Sequence, residues 1–360
     1  MSGTSLDAID VVLAQRSTTG FQQVAACATD LPAPLRQQLL QLCHDKHCDL
    51  QTLGEIDHQF SLACADAVNQ LLTEQHYSAE QVSAIGSHGQ TIFHSPNGSF
   101  PFTQQIGDGN LIAAKTGINC VADFRRMDMA YGGQGAPLVP AFHQALFAKK
   151  GCQRIILNIG GIANISILNK DGTVFGYDTG PGNMLMDAWV AKVANKAFDK
   201  DALFAQQGKV VHALLAQLLS EPYFTQTAPK STGREKFNFI WLMQQLALFA
   251  EMTFADADIQ RTLLEFTAIT ISEQIKRQGG DGDVFVCGGG ALNPLLMQRL
   301  RVLMPAHHIN DTNALNVDPM FVEAIAFAWL AEQRVCTIPV ALQGVTGATK
   351  NAILGGLYLA

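Results

Sequence analysis

The chain has 360 residues, of which 48% are hydrophobic and 15% are charged, and its formal net charge at pH 7 is −7. This length and composition predict a globular protein with a large core and room for two domains, and they exclude a disordered chain. The negative charge gives no general attraction for nucleic acid or an anionic membrane, so we expect small-molecule partners. Eight cysteines without a C-x-x-C pair, together with the lack of a bilayer-spanning apolar run or a leader-like N-terminus, predict the cytoplasm.

The first predicted element is a glycine turn at residues 1–7, MSGTSLD, which leads into the apolar run 8–14. This order is typical of a glycine-tipped β-hairpin. Glycine permits positive φ and lets backbone N–H groups approach an anion closely, while Thr4 and Ser5 add polar contacts. We therefore predict a phosphate-binding turn, although a tight turn without a ligand has the same composition. Met1 stands directly on the turn, so we expect the natural chain to start upstream.

A polar strand end follows two predicted helices, which the apolar spacing puts at 33–48 and 50–75. His88, Gln90 and Thr91 come after a short apolar strand, a position at which sheets present side chains to a cleft. We predict that all three contact a substrate. His88 is assigned to positioning and not to proton transfer, because a single histidine is more often a structural hydrogen-bonding residue.

A second strand end carries Asp123, Arg125 and Arg126. Two neighbouring arginines suit a carboxylate or a phosphate, but an Arg–Asp pair that only stabilises the fold explains either arginine equally well. The glycines of residues 132–137 make that segment the candidate hinge between two lobes.

A second glycine turn, NIGGIAN at 158–164, lies between the apolar runs 154–157 and 165–168 and predicts another phosphate-binding hairpin. Asp178 follows it, directly before a Gly-Pro-Gly turn and a predicted helix. We expect Asn183 to cap this helix. Asp178 is suited either to capping the helix entry or to acting as a general base, and we favour the base.

The third glycine motif follows the buried strand 284–287 as the triplet 288–290, with a helix predicted from Asn293. Such a surface suits an adenine ring. The polar loop 228–238 is expected to contact a ligand or a second subunit, and a final helix carries Glu323 on one face. Neither a P-loop sequence nor a dinucleotide G-x-G-x-x-G motif is present.

Together these motifs resemble the nucleotide-binding superfamily of actin, sugar kinases and Hsp70, and within it the anhydro-N-acetylmuramic acid kinases. The resemblance covers nearly the whole chain and rests on residues 1–7, 86–91, 123–126, 132–140, 158–164, 177–183 and 230–234. It implies an ATP- and Mg²⁺-dependent enzyme of peptidoglycan recycling. Such an enzyme converts 1,6-anhydro-N-acetylmuramic acid, ATP and water to N-acetylmuramic acid 6-phosphate and ADP.

The resemblance also implies residue roles. Asp178 would be the catalytic base that deprotonates the attacking water. The metal ligands stay unassigned, since Asp7, Asp10 and Asp178 could each reach the ion through water. The implied sugar contacts are Thr91, Arg125 and Glu323, with Arg125 on the lactyl carboxylate, and the position of His88 and Gln90 at the strand end adds these two to the predicted substrate contacts. The implied nucleotide contacts are Gly3, Thr4, Ser5, Leu6, Asp7, Asp10, Asn158, Gly160, Gly161, Asn164, Gly288, Gly289, Gly290 and Asn293.

The implied fold is α/β, with two similar actin-like ATPase lobes around a central nucleotide and substrate cleft. Lobe I would contain residues 1–136 and 338–360, and lobe II residues 137–337. A homodimer is expected from the resemblance. Two alternatives stay open: a conventional hexosamine kinase that accepts a reducing sugar, and a nucleotide-gated ATPase or chaperone-like module without sugar dependence.

Overall fold

The first part of the chain alternates short sheets with packing helices. The structure is a computed structural model that describes residues 1–3, 6, 8–17, 20–228 and 230–360. The strands here are β1 (Ala8–Ser17), β2 (Gly20–Asp30), β3 (Ile85–Gly86), β4 (Gln90–Ser95), β5 (Phe102–Ile106) and β6 (Cys120–Ala122). The helices are α1 (Ala33–Asp45), α2 (Leu50–Glu74), α3 (Gly109–Thr116), α4 (Arg126–Ala130) and α5 (Val139–Phe147). The helices predicted at 33–48 and 50–75 are thereby confirmed.

The middle of the chain forms one larger sheet with helices. Its strands are β7 (Arg154–Ile159), β8 (Ile162–Leu168), β9 (Val174–Pro181), β10 (Asp283–Cys287) and β11 (His308–Asp311). Its helices are α6 (Met184–Ala194), α7 (His212–Leu219), α8 (Phe239–Ala247), α9 (Asp256–Lys276) and α10 (Pro294–Leu303). In the described residues the strand order is β11-β10-β7-β8-β9, with β10 parallel to β7 and β11, and with β8 antiparallel to β7 and β9. The predicted α/β class is confirmed.

The chain ends with α11 (Val322–Val335), α12 (Gln343–Thr346) and β12 (Gly356–Tyr358), and β12 pairs with β6. Two compact units result, Met1–Leu146 with Phe321–Ala360, and Phe147–Met320. The predicted lobes differ from these units only by assigning α5 and α11 to the second lobe. In the structure α11 packs in the first unit, where a Cβ on Gly86 would lie 2.0 Å from the Phe327 carbonyl oxygen.

The described residues at the N-terminus lie beside β1, whereas Thr4, Ser5 and Asp7 of the first predicted glycine turn lie outside the described residues. Ser2 pairs antiparallel with Ile9, and the Asp10 N–H donates to the Met1 carbonyl at 2.8 Å, so the N-terminal segment folds back onto β1. β7 and β8 form the second predicted hairpin. Within the described residues, no helix is both long and apolar enough to cross a bilayer.

Candidate active site

Three polar side chains form a row on one face of the large sheet. The strand register places Asp178 of β9 opposite Asn164 of β8, and Asn164 opposite Asn158 of β7. Residues paired across neighbouring strands point to the same face. The intervening positions, such as Leu157 and Ile165, belong to the hydrophobic core on the other face. Strand alternation therefore brings together three polar residues that lie up to 20 positions apart in the sequence.

The glycine turn between β7 and β8 is held by the segment that follows β9. The N–H of Gly182 donates to the Gly161 carbonyl at 2.8 Å, and the N–H of Asn183 donates to the Gly160 carbonyl at 2.8 Å. A Cβ on Gly182 would lie 2.3 Å from the Gly160 oxygen, so only glycine fits there. The predicted side-chain cap at Asn183 is wrong, because its Nδ2 donates to the Ile159 carbonyl at 3.3 Å and makes no cap bond.

Asp178 lies inside the edge strand β9 and not at the helix entry. The residue at the N-cap position of α6 is Asn183, so the capping alternative for Asp178 is excluded. The Asp178 Oδ2 accepts the backbone N–H of Thr232 at 3.0 Å. Burial raises the pKa of this carboxyl to about 6, against the lowering effect of the Thr232 N–H and with a smaller raising effect from Glu235. A carboxylate with that pKa is suited to accept a proton near neutral pH.

The third glycine motif packs against the end of β7. Gly288 has φ +78°, and a Cβ there would lie 2.5 Å from Asn158 Oδ1 and 2.7 Å from the Ile159 carbonyl oxygen. Gly290 is equally tight, since its Cβ would lie 2.3 Å from Ile159 Cγ2, whereas Gly289 is exposed. The motif therefore lies beside the polar row.

Asn293 begins the helix that follows this motif, as predicted. Its Oδ1 accepts the N–H of Leu296 at 2.9 Å and caps α10. This oxygen is thereby engaged within the protein, and the predicted contact between Asn293 and the nucleotide stays a prediction.

In the first unit, Arg125 is the centre of a buried polar group. Its Nη1 donates to the Gly135 carbonyl at 2.8 Å, and its Nη2 lies 3.0 Å from His88 Nε2. Burial, and then the Arg125 charge, hold the pKa of His88 well below its usual value, so the ring is neutral. Burial lowers the pKa of Arg125 to about 10 although Glu323 opposes the shift. Three predicted sugar contacts therefore come together, and Arg125 stays positively charged at neutral pH.

The two arginines of the 119–126 segment have different partners. Arg126 Nε lies 3.4 Å from Asp123 Oδ1, which makes it the structural ion pair that was one of the alternatives. Arg125 bonds to His88 and a carbonyl instead, so it retains a cationic group beside Glu323.

The remaining sugar candidates lie on β4. Gln90 is 3% exposed, and the Thr91 Oγ1 accepts from Gln105 Nε2 at 3.0 Å. Among the N-terminal candidates, Leu6 is 1% exposed and belongs to the core, so only its backbone is available to a ligand. Gly3 has no heavy atom within 4 Å of an added Cβ. Three further predicted contacts, Thr4, Ser5 and Asp7, lie outside the described residues.

Two residues beside the candidate groups were not found from the sequence. Tyr223 donates its hydroxyl to the Asp178 carbonyl at 2.7 Å. Asp128 is 2% exposed and accepts the Gly135 N–H at 2.8 Å and the Thr346 hydroxyl at 2.7 Å. Tyr223 lies in the short helical turn Pro222–Thr225 and Asp128 in α4, so neither residue belongs to a glycine motif or a strand end. Asp128 orders the predicted hinge 132–137, whose hinge role stays a prediction.

Comparison with known proteins agrees with the motifs. The family model for anhydro-N-acetylmuramic acid kinase matches residues 1–360. The chain is 52% identical over 360 residues to the anhydro-N-acetylmuramic acid kinase of Vibrio parahaemolyticus, covering 99% of this chain and 96% of the relative. It is also 52% identical over 361 residues to that of Vibrio cholerae, with the same coverage.

Among solved structures, the activator of the 2-hydroxyisocaproyl-CoA dehydratase from Clostridium difficile with bound ADPNP matches at a TM-score of 0.38 and 12% identity, over 76% of this chain and 84% of that one. This similarity is too weak to carry an argument about the site. The full-length family match and the half-identical relatives show that the chain belongs to the anhydro-N-acetylmuramic acid kinase family.

Proposed function

We propose that the protein phosphorylates 1,6-anhydro-N-acetylmuramic acid with ATP while water opens the anhydro bridge, which yields N-acetylmuramic acid 6-phosphate and ADP. The observation that carries this proposal is the position of Asp178. Its carboxylate is partly buried in a polar row beside a glycine turn, with a pKa of about 6. A general base near a phosphate-binding turn is what a coupled hydrolysis and phosphoryl transfer requires.

In the proposed reaction Asp178 takes a proton from a water molecule, and the water oxygen forms a bond to the anomeric carbon. The bond from that carbon to the bridging oxygen breaks, and the oxygen stays on the sixth carbon. This freed oxygen attacks the γ-phosphorus, whose bond to the bridging oxygen of ADP breaks. The proton on Asp178 returns to solvent when the products leave. One carboxylate therefore serves the whole sequence.

The proposed phosphate contacts are the backbone of the turn at Gly160 and Gly161 with the amides of Asn158 and Asn164. Glycine lets an anion approach the backbone closely, and the positioned N–H groups need no reorganisation as charge develops. We propose that the exposed surface at Gly289 lies against the adenosine. Phosphoryl transfer depends mainly on such alignment.

We propose that Mg²⁺ enters together with ATP. In the described part of the chain, no group of three or more His, Cys, Asp or Glu side chains is arranged to hold a metal ion. Mg²⁺ at nucleotide sites is bound by one or two carboxylates together with substrate phosphates, so Asp10 fits the ion as a single contact. When bound, the ion would neutralise charge on the phosphates.

For the sugar, we propose that Arg125 binds the lactyl carboxylate. Arg125 is buried, keeps its charge and is oriented by His88 and the Gly135 carbonyl. A preordered guanidinium recognises a carboxylate with two parallel hydrogen bonds. Thr91, Gln90 and Glu323 are proposed as neighbouring sugar contacts. Peptidoglycan recycling, a cytoplasmic location and a homodimer complete the proposal.

The test is an assay of ADP release from purified protein with ATP, Mg²⁺ and the anhydro sugar, run beside a control without sugar and a control with reducing N-acetylmuramic acid. Release that depends on the anhydro sugar, with one ¹⁸O from labelled water at the anomeric position of the product, is expected. Release only with the reducing sugar would make the protein a conventional hexosamine kinase. Release that ignores both sugars would overturn the kinase proposal in favour of an ATPase module.

A further inference from the structure

Strand β9 lies at the edge of its sheet, so one side of its backbone has no neighbouring strand there. A strand at the edge of a sheet exposes unpaired N–H and C=O groups. At Asp178 both groups are engaged from outside the sheet, because its N–H donates to the Lys230 carbonyl at 3.3 Å and its carbonyl accepts the Tyr223 hydroxyl at 2.7 Å. Two residues that are distant from Asp178 in the sequence therefore hold the backbone of the candidate base.

The side chain of Lys230 also contacts Tyr223. Its Nζ donates to the Tyr223 carbonyl at 3.1 Å and lies 4.6 Å from the centre of the Tyr223 ring. The residue is only 9% exposed. A buried ammonium is costly unless it is bonded, and here the carbonyl and the ring compensate it. Asp178, Lys230 and Tyr223 thus form a closed circuit of contacts, which we call the Asp178 clamp.

A backbone N–H close to Lys230 connects the clamp to the Asp178 carboxylate. Two residues beyond Lys230, the Thr232 N–H donates to Asp178 Oδ2 at 3.0 Å. This bond stabilises the charged carboxylate, so it lowers the carboxyl pKa against the larger effect of burial. The position of this N–H is fixed by the segment 230–232, and that segment is anchored at Lys230.

We propose that Lys230 is a positioning residue, whose buried ammonium holds the segment 230–232 so that the Thr232 N–H stays on the Asp178 carboxylate. This inference rests on the proposed role of Asp178 as the base. Lys230 acts through Thr232 and does not touch the substrate. Its contribution is to keep the base ionised and directed.

Charged groups outside the clamp also shift the pKa values of its residues. Glu235 faces Asp178 and raises its pKa, and Tyr223 faces it with a hydroxyl whose own pKa is raised by burial and by the Asp178 charge. The pKa of Lys230 is lowered to about 8, mainly by burial and then by the charge of Arg277, which faces it. The clamp therefore weakens at alkaline pH, when Lys230 loses its proton.

Lys236 provides a matched control. Its Nζ also lies over the Tyr223 ring, at 5.3 Å, but its ion pair is with Glu221 at 2.7 Å. Lys236→Met removes a cation from the same ring and leaves the hydrogen bonds among Asp178, Lys230 and Tyr223 in place. Lys230→Met removes the anchoring ammonium and keeps most of the side-chain volume, while Lys230→Arg keeps a cation that can still donate to the Tyr223 carbonyl.

The experiment measures kcat/KM against pH for the wild type and these variants, after thermal unfolding has shown that each one is folded. Loss of the charge-assisted bond at the carboxylate is expected to move the acidic limb of Lys230→Met upward by about one pH unit. The limb of Lys236→Met should stay in place, and the limb of Lys230→Arg should lie close to its wild-type position. An unmoved limb in folded Lys230→Met would overturn the proposal.

A second readout separates this inference from the proposed function. The pKa of Asp178 is measured by carboxyl ¹³C NMR, with the signal assigned by its absence in Asp178→Asn. The same upward shift in Lys230→Met is expected even if the substrate is a different sugar. If the wild type has no activity with the anhydro sugar but the Asp178 pKa is still shifted in Lys230→Met, only the proposed function is refuted. An unshifted signal in folded Lys230→Met would refute the role of Lys230. If this variant is folded but too inactive for a pH-rate profile, the NMR measurement alone decides.

Discussion

Asp178→Asn should reduce turnover and at the same time stabilise the protein at neutral pH. Replacing a general base costs about 10²- to 10⁴-fold in rate. The stability effect follows from the pKa, which burial raises from 3.8 to about 6. Between these values the folded state keeps the proton that the unfolded chain has lost, so the wild type loses stability as pH rises. Asn carries no charge and escapes this loss, and its amide oxygen can still accept the Thr232 N–H.

The magnitude can be worked out for pH 5 and pH 7. At pH 5 the unfolded carboxyl is already ionised, while the folded one is one unit below its pKa, so ionisation on going to pH 7 costs ~1.4 kcal/mol. The wild type should lose this amount relative to Asp178→Asn across that interval. Partial exposure of the side chain makes about 1 kcal/mol the smallest effect that we expect.

The assay is urea unfolding of both proteins at pH 5, 6 and 7, followed by tryptophan fluorescence. Asp171→Asn is the control, because Asp171 is exposed and its pKa is lowered by the Thr173 side chain, then the Thr173 N–H. Its carboxyl is ionised in both states throughout this range, so the difference between this variant and the wild type should not change with pH. A difference between the wild type and Asp178→Asn that stays constant from pH 5 to pH 7 would refute the reasoning, as would a folded variant that keeps more than about a tenth of its activity.

Three further predictions concern the same groups. In the wild type, kcat/KM should fall below about pH 6, because the base is then protonated; a limb near pH 4 in a pH-rate profile would contradict the assignment. Gly288→Ala should destabilise the protein by at least about 2 kcal/mol, since it combines a positive φ with a Cβ 2.5 Å from Asn158 Oδ1. Gly279→Ala, also at positive φ but with no atom within 4 Å, should cost about 1 kcal/mol in the same unfolding assay. Arg125→Lys should raise KM for the sugar about tenfold or more and leave KM for ATP unchanged, because a lysine cannot make the paired bonds of a guanidinium. The measurement is steady-state kinetics with each substrate varied in turn. An equal rise in both KM values would place Arg125 outside the sugar site.

Much of the site was readable from the sequence because glycine and alternation are local signals. The turn at 160–161 and its flanking strands follow from the apolar runs on either side. Likewise, the strand, glycine triplet and helix around Gly288 follow from residue order alone, and the Asn293 cap fits its residue type. Family resemblance added the roles, which the residues themselves left open.

Other features depended on long-range pairing. Asp178 looked like a residue at a helix entry, but the register of β9 places it beside Asn164 in the sheet. Arg125 and Arg126 are equivalent in sequence, and only packing separates the buried arginine on His88 from the exposed partner of Asp123. Neighbouring residues diverge in this way because burial and partner choice are set by elements far away in the chain.

The sequence by itself determined the α/β class, the glycine turns and the family, since each depends on residue types at short spacing. Tertiary structure alone decided that Tyr223 and Lys230 hold the backbone of Asp178, and that burial raises the pKa of its carboxyl. The reason is physical: desolvation and hydrogen bonding act through space, so the proton affinity of a carboxyl depends on what folds around it.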